Sequence, residues 1–458
     1  MTQLIEPNMR GIFRLATPVV ISMFSLTLMG VVDTLIVGRL GTEPLAAVGF
    51  AIMVGFNLFA FSTGFMSGVT TIVSQSFGAK NFSSCRSVVW QALFTSVFFG
   101  LLYGVLSLYV GDLLRFMRLS EEVQRLGALY LRWYLVGGVF VVFNQAMTGF
   151  FQGIGNTKIP MWVSLAANLL NAVLAWVWVL GWNGHGGYGV AGAACATVVA
   201  NLFSSLLYWF FFRRSSLGRS ENDSRFPLDL AMLKKLTTLG VPIGAQMFFG
   251  ITSFIVFCLF IGWLGDADLA ANRIVLQMDQ LAFMPIVGIG QAAQVIVGQY
   301  VGAGQPWIAK QLTRKAILLG TVFEVVLGLL YLGFAGPIVR FFSNDPAVIA
   351  LGIPVMRFAI VWMAFDATFL ISMSALRGAG DVRWPMMMNL LTSYGLRLPL
   401  VYWISFTWGY GFFGAWVGLT ISLILLGLIL YARFASGRWM RQLENPKNLV
   451  VEMETSIL

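Results

Sequence analysis

Long apolar stretches, separated by short polar segments, recur along the whole chain. Each stretch holds roughly 20 residues, which is enough for a helix to cross the hydrocarbon core of a bilayer. None shows the strict alternation of a membrane β-barrel strand, and lipid offers no partners for open backbone groups. The pattern therefore predicts an all-α membrane protein. Its twelve transmembrane helices are predicted at 15–38, 48–73, 88–110, 127–150, 160–181, 189–212, 239–263, 273–297, 316–339, 354–375, 386–406 and 411–432.

Composition and charge agree with a multi-pass membrane protein. The chain is 58% hydrophobic and 10% charged, whereas about a quarter of the residues in a soluble domain are charged. Most of the 29 lysines and arginines fall on the side that holds the N-terminus, every second loop and the C-terminus. The positive-inside rule then puts both termini in the cytoplasm and the protein in the cell (inner) membrane. This topology explains the net charge of +10, so we expect no nucleic-acid partner.

The second half of the chain repeats the first. "TPVVISM" at 17–23 matches "VPIGAQM" at 241–247, and "SQSFGAK" at 74–80 returns as "GQYVGAG" at 298–304, in both cases 224 residues later. Each copy contains six predicted spans, and an even number gives both copies the same orientation in the membrane. We therefore predict two parallel six-helix repeats, related by an axis along the membrane normal, with a substrate path between them.

The repeat sets the predicted domain boundaries. Residues 1–212 form an N-lobe with helices 1–6, and residues 236–435 form a C-lobe with helices 7–12. A polar cytoplasmic linker, 213–235, joins them, and 436–458 is a cytoplasmic C-terminal tail.

Four acids lie within predicted spans: Asp33, Asp279, Glu324 and Asp366. A charged side chain near the bilayer centre costs at least a few kcal/mol, so such residues usually have a function. Polar stripes at helical spacing accompany Asp33. They consist of Ser164, Asn168 and Asn171 in the fifth span and of Thr197, Asn201 and Ser204 in the sixth. These oxygens can replace the hydration shell of a cation or hold a carboxylic acid. The alternative is that Asp33 only makes a structural hydrogen bond.

The acids of the second half lie among soft and aromatic side chains. Four residues share the face of Asp366 at helical spacing: Trp362, Met363, Phe369 and Met373. Methionine and aromatic surfaces that can repack suit varied apolar cations, so we predict a substrate cavity that includes Asp366 and Asp279. The alternative is an internal salt bridge of these acids with Arg397 or Arg273, buried for packing or gating. The role of Glu324 stays open.

Several function classes are excluded by missing signals. The sequence has no Walker, kinase or nucleophile-elbow motif and no zinc-ligand spacing. The three cysteines, Cys85, Cys195 and Cys258, are odd in number and do not indicate a disulfide framework. We therefore expect no enzyme and no cofactor, and transport energy must come from an ion gradient instead of ATP.

Five pieces of sequence, in this order and spacing, resemble the multidrug and toxic compound extrusion (MATE) family. They are "VVDTLIVGRLG" (31–41), "QSFGAKN" (75–81), "VGQYVGAGQ" (297–305), "ALRGAGDVRWPM" (375–386) and "LRLPLVYW" (396–403). The resemblance covers about residues 10–435. It implies a V-shaped pair of six-helix lobes that exports amphipathic, often cationic compounds in exchange for entering H⁺ or Na⁺.

The resemblance also implies roles for residues. It places an ion- or proton-binding cluster at Asp33, Asn171 and Thr197, next to Asn168. Many relatives carry an acid or amide where this sequence has Ala175, so one oxygen ligand for Na⁺ is missing and we expect H⁺ first and Na⁺ second. In the NorM-like branch, the acid at the position of Asp366 is paired with a glutamate in helix 7. This chain has Gly250 at the position of that glutamate.

The leading hypothesis is a monomeric secondary-active antiporter for multidrug efflux, whose partners are small amphipathic substrates and membrane lipids. The alternative from the same superfamily is a flippase for lipid-linked oligosaccharides or other lipids. A pyrophosphate ligand would require a basic cavity, which the intramembrane acids argue against. An intramembrane enzyme would need a catalytic pair or a metal cluster. A channel would not need two repeats with acids in each.

Overall fold

The computed structural model describes residues 4–115, 120–182, 185–218 and 228–441, and it confirms the predicted all-α fold. The first half forms α1 (Met9–Gly38), α2 (Thr42–Gly78), α3 (Phe82–Arg115), α4 (Glu121–Val136), α5 (Gly138–Gly153), α6 (Lys158–Leu180) and α7 (Gly189–Arg214). The second half forms α8 (Leu230–Leu264), α9 (Asp266–Gly302), α10 (Pro306–Phe342), α11 (Pro346–Ala379), α12 (Arg383–Leu390), α13 (Leu398–Tyr402), α14 (Gly411–Ala435) and α15 (Arg438–Arg441). Two two-residue strands, β1 (Gly181–Trp182) and β2 (His185–Gly186), pair antiparallel after α6.

Ten of the described helices are long and apolar enough to cross a membrane alone, and the other two predicted spans are built from pieces. The fourth predicted span consists of α4 and α5, which meet at a bend of 49°. The bend lies at Gly137, where a Cβ atom would come within 2.8 Å of the Val198 side chain on α7. A glycine at such a close approach is one of the usual causes of a sharp kink.

The eleventh predicted span combines α-helix and π-helix. After α12 the chain runs through a π-helical segment (Leu391–Arg397), α13 and a second π-helical segment (Trp403–Thr407). Pro399 has no N–H to donate to the preceding turn, so the ladder of hydrogen bonds has to change register near it. All twelve predicted spans therefore fall on helical segments of the described residues.

By internal packing, the chain forms two compact units whose boundaries cut across helices. We call them the C-terminal unit (the chain up to Val20, Ser74–Lys80, and Ala245 onward) and the N-terminal unit (Ile21–Val73 and Asn81–Gly244). Both α1 and α8 change unit along their length, after Val20 and after Gly244, at positions 224 residues apart. Pro18 and Pro242 lie inside these two helices, just before the change. A proline there removes one backbone hydrogen bond, and both copies of the repeat carry it at the equivalent position of their first helix.

The predicted lobe boundaries at 212 and 236 stay a prediction. Helix α7 ends at Arg214 and α8 begins at Leu230, so the last part of the predicted linker is helical. Residues 219–227 of the linker and 442–458 of the tail lie outside the described residues.

Close backbone contacts inside the C-terminal unit explain the repeated glycine motif. A Cβ atom added to Gly78 would lie 2.9 Å from Cα of Gln299, and one added to Gly302 would lie 2.9 Å from Cα of Gln75. These four residues are equivalent in pairs across the 224-residue offset. The motif is therefore a symmetric packing contact between the ends of α2 and α9, where only glycine fits.

Helix α9 lies at the centre of the C-terminal unit. In its most apolar window 72% of the residues are buried, against 11% for α1. Helices α10 and α11 pack against α9 and against each other. Of the acids in the predicted spans of these three helices, Glu324 and Asp366 are buried and Asp279 is half-buried.

Candidate functional site

In the N-terminal unit, Asp33 contacts the two residues predicted to lie beside it. The Asn171 side chain is 1% exposed, and hydrogen bonding assigns the orientation of its amide. The amide nitrogen donates to Oδ1 of Asp33 at 3.1 Å, and the amide oxygen accepts from Oγ1 of Thr197 at 3.3 Å. One chain of contacts therefore connects α1, α6 and α7 through a single carboxyl group.

Further polar side chains extend this cluster on the side of α7. The buried hydroxyl of Tyr130 on α4 forms a hydrogen bond with Thr197 and interacts electrostatically with Asp33. Nδ2 of Asn201 donates to the Thr197 carbonyl at 2.9 Å, and Nδ2 of Asn144 on α5 donates to the Asn201 carbonyl at 2.9 Å. Asp33 is thus one end of a polar network that reaches four other helices.

Asn168 lies outside the Asp33 contacts. Its Nδ2 atom donates to Oγ of Ser25 at 2.8 Å, two turns before Asp33 on α1. Ala175, the position at which many relatives have a polar side chain, is buried and apolar. Of the predicted coupling residues, the structure brings Asp33, Asn171 and Thr197 together. Asn168 instead contacts α1 at Ser25, away from Asp33.

In the C-terminal unit, Asp279 on α9 is bound by an indole. Nε1 of Trp362 donates to Oδ1 of Asp279 at 2.9 Å. The Trp362 ring lies 4.7 Å from the ring of Trp416 on α14, whose own Nε1 donates to Asn272 at 3.2 Å. A pair of packed indoles therefore fixes the position of the Asp279 carboxyl group.

Asp366 on α11 is paired with Glu324 on α10. Their carboxyl groups are hydrogen-bonded to each other, and both side chains are buried, with 1% exposure for Glu324 and 9% for Asp366. Oε2 of Glu324 also accepts from the backbone N–H of Ala367 at 2.7 Å. Asp279 interacts electrostatically with both acids, so three carboxyl groups occupy one region of the unit.

The predicted cavity residues around Asp366 are packed in this structure. Trp362 and Met363 are buried in one apolar core cluster, Met373 is buried in a second one, and Phe369 packs against the second. Sδ of Met373 lies 2.9 Å from Nε2 of Gln246. The assignment of these four side chains to a substrate cavity stays a prediction, and it requires them to separate when a substrate enters.

The two arginines named as possible partners of the acids lie elsewhere. Nε of Arg397 donates to Oγ of Ser422 on α14 at 3.2 Å, and Arg273 is exposed. Within the described ranges neither forms an ion pair with Asp279 or Asp366. The structure thus does not support the salt-bridge alternative, and a gating role for the arginines stays a prediction.

Sequence reasoning missed two contributors to these sites. Tyr130 gave no signal because a tyrosine in an apolar span is usual. Glu324 was visible only as an isolated acid, since its partner on another helix cannot be identified from spacing.

Two repeats of six spans, with carboxyl groups inside the spans of each, define an integral membrane transporter built by internal duplication. Comparison with known families makes this more specific. The profile of the MatE family matches residues 18–177 and 242–403, more than half of the chain, and the two matches begin 224 residues apart. The chain belongs to the MatE (MATE transporter) family, as its motifs predict.

Curated relatives and solved structures agree with this membership. Multidrug resistance protein PmpM of Pseudomonas aeruginosa is 29% identical over 451 residues, which cover 96% of this chain and 94% of the relative. Multidrug resistance protein NorM of Burkholderia vietnamiensis is 30% identical over 430 residues, 92% of each chain. The solved structure of a MOP superfamily transporter from Pyrococcus furiosus superposes with a TM-score of 0.84 at 22% identity and covers 95% of this chain and 96% of its own.

Proposed function

We propose that this protein is a secondary-active antiporter that exports amphipathic, mainly cationic drugs or toxic compounds in exchange for H⁺, with Na⁺ as the alternative coupling ion. Similarity to proteins named for multidrug resistance over nearly the full chain supports the efflux part. We further propose that it works as a monomer in the cell (inner) membrane, with both termini in the cytoplasm.

The contacts of Asp33 carry the proposal. When Asp33 is charged, it attracts the Asn171 amide, which in turn bonds Thr197, and α1 is held against α6 and α7. When Asp33 is protonated, this attraction weakens. A helix with two such arrangements can convert a bound proton into a change of packing and so alternate the access to a substrate.

The apolar side chain of Ala175 favours H⁺ over Na⁺. Many relatives carry an acid or an amide there, so Asp33, Asn171 and Thr197 offer one side-chain oxygen ligand fewer to Na⁺, whereas a single carboxyl group is enough to bind a proton.

The acids of the C-terminal unit support a cationic substrate. Charge attraction is stronger in a site shielded from water than at a surface, and Asp279 and Asp366 are neighbours. A pyrophosphate-bearing lipid would be repelled by them, which argues against the flippase alternative.

Dye efflux from proteoliposomes under separately imposed pH and Na⁺ gradients tests the function. We expect the pH gradient to drive export of a cationic dye, and Asp33→Asn to abolish this while the protein stays folded and membrane-inserted. Asp112→Asn, an exposed acid at the end of α3, is the matched control and should transport normally. Normal export by Asp33→Asn against a gradient would contradict the coupling role, and export driven only by Na⁺ would contradict the choice of ion.

A further inference from the structure

The contacts of Glu324 join two helices at one point. Its Oε2 atom accepts from the Ala367 N–H on α11 at 2.7 Å. In a regular α-helix this N–H donates to the carbonyl of Met363, four residues earlier. Glu324 therefore competes with the hydrogen-bond ladder of α11, next to the residue whose carboxyl group it also contacts, Asp366.

A hydrogen bond between two carboxyl groups needs one proton. Two ionised carboxylates have acceptor oxygens only and no hydrogen to share. In the contact between Glu324 and Asp366, one proton must lie between the two groups. If that proton leaves, two negative charges face each other in a buried region and repel, because little solvent screens them.

The surroundings do not neutralise that repulsion. Among the described residues, the charged group that interacts electrostatically with both members of the pair is Asp279 of α9, itself an acid. Tyr331 of α10 is a further titratable residue nearby, and it interacts electrostatically with Asp279. Its hydroxyl donates to the Met278 carbonyl at 2.9 Å. Within the described ranges, neither Glu324 nor Asp366 forms an ion pair with a lysine or arginine.

We propose that Glu324 is a positioning residue of the transport cycle, which holds α10 against α11 while it shares one proton with Asp366. Loss of the proton leaves two carboxylates that repel each other, and this repulsion, which acts against the hydrogen bond from the Ala367 N–H, moves α10 and α11 apart beside Trp362. The proposal rests on the antiport function above and extends it to a second proton and a second pair of helices.

Infrared difference spectroscopy between low and high pH tests the shared proton on the full protein in lipid. We use the Asp33→Asn background, so that Asp33 cannot contribute. A carbonyl band of a buried carboxylic acid should disappear on raising the pH. Glu324→Gln should remove this band, because the glutamine amide donates to Asp366 without a titratable proton. Asp366→Asn should remove the same band, and the double variant should lose nothing more, because the two residues share a single proton.

Glu43→Gln, an exposed glutamate in the first turn of α2, is the matched control and should keep the band. A full band in the folded Glu324→Gln variant would overturn the proposal. If that variant does not fold, Asp366→Asn gives the same test. A pH-independent spectrum of the Asp33→Asn protein itself would also overturn it.

A transport measurement separates positioning from a structural role. In the presence of Asp33, Glu324→Gln should keep α10 and α11 joined, so that dye efflux is slow at every pH and loses the part of its pH dependence that this pair supplies. Efflux with an unchanged pH profile would contradict positioning. The infrared band does not require transport, so failure of the antiport function and failure of the pair are distinguishable.

Discussion

Asn168 and Asn171 lie three residues apart on the same face of α6, yet only Asn171 contacts Asp33. Asn171→Ala removes a donor to the charged carboxyl group, a contact of about 1.5–3 kcal/mol. The charged form is then less stable, so we expect the pH of half-maximal efflux to rise by about one unit or more. Asn168→Ala, which loses only its bond to Ser25, is the matched control. Equal shifts in both variants would contradict the assignment.

This pair of asparagines also marks the limit of reading a site from sequence. Helical spacing correctly places both on one face, and an acid in an apolar span correctly singles out Asp33. Spacing within α6 does not show which residue of α1 each of the two side chains contacts. The same limit applies to Glu324 and Asp366, because their contact depends on which faces α10 and α11 turn towards each other.

At the scale of helices, the glycine contact between α2 and α9 can be tested directly. Gly78→Ala would place a Cβ atom against the backbone of Gln299, which cannot move like a flexible side chain. We expect a loss of about 1–3 kcal/mol of stability, measured as earlier thermal unfolding in detergent. Gly104→Ala on α3 is the control, because no atom lies within 4 Å of the added Cβ, and alanine is the better helix former. Equal stability of both variants would contradict the packing role of Gly78.

Hydropathy predicted where helices lie but not how two of them are built. The bend between α4 and α5 depends on the close approach of Gly137 to Val198 on α7, which is a tertiary contact. The π-helical segments around α13 lie inside a largely apolar stretch. In such a stretch the hydropathy pattern does not distinguish a π-helix from an α-helix. Pro399 was a visible signal of irregularity in that run.

At the scale of the whole molecule, the proposed topology can be tested by cysteine labelling in a variant without native cysteines. Ser216→Cys, just after α7, should resist a membrane-impermeant maleimide added to intact cells. Tyr188→Cys, in the exposed loop before α7, should react. The physical reason is the excess of basic residues on the side of the linker. The opposite labelling pattern would contradict the proposed topology and place both termini outside the cytoplasm.

The exchange of helix ends between the two units has a consequence for the chain as a polypeptide. If the gene is split so that translation stops after Gly218 and restarts before Leu228, neither fragment contains a complete unit, since each unit uses residues from both fragments. We expect each fragment alone to be degraded and both together to reconstitute efflux in cells; stable accumulation of either fragment alone would contradict this. By the same reasoning, we expect a half-length ancestor to have folded only as a dimer that exchanged helix ends between its two copies. A linker that joins the two halves covalently makes their association intramolecular, which raises the effective concentration of each half for the other.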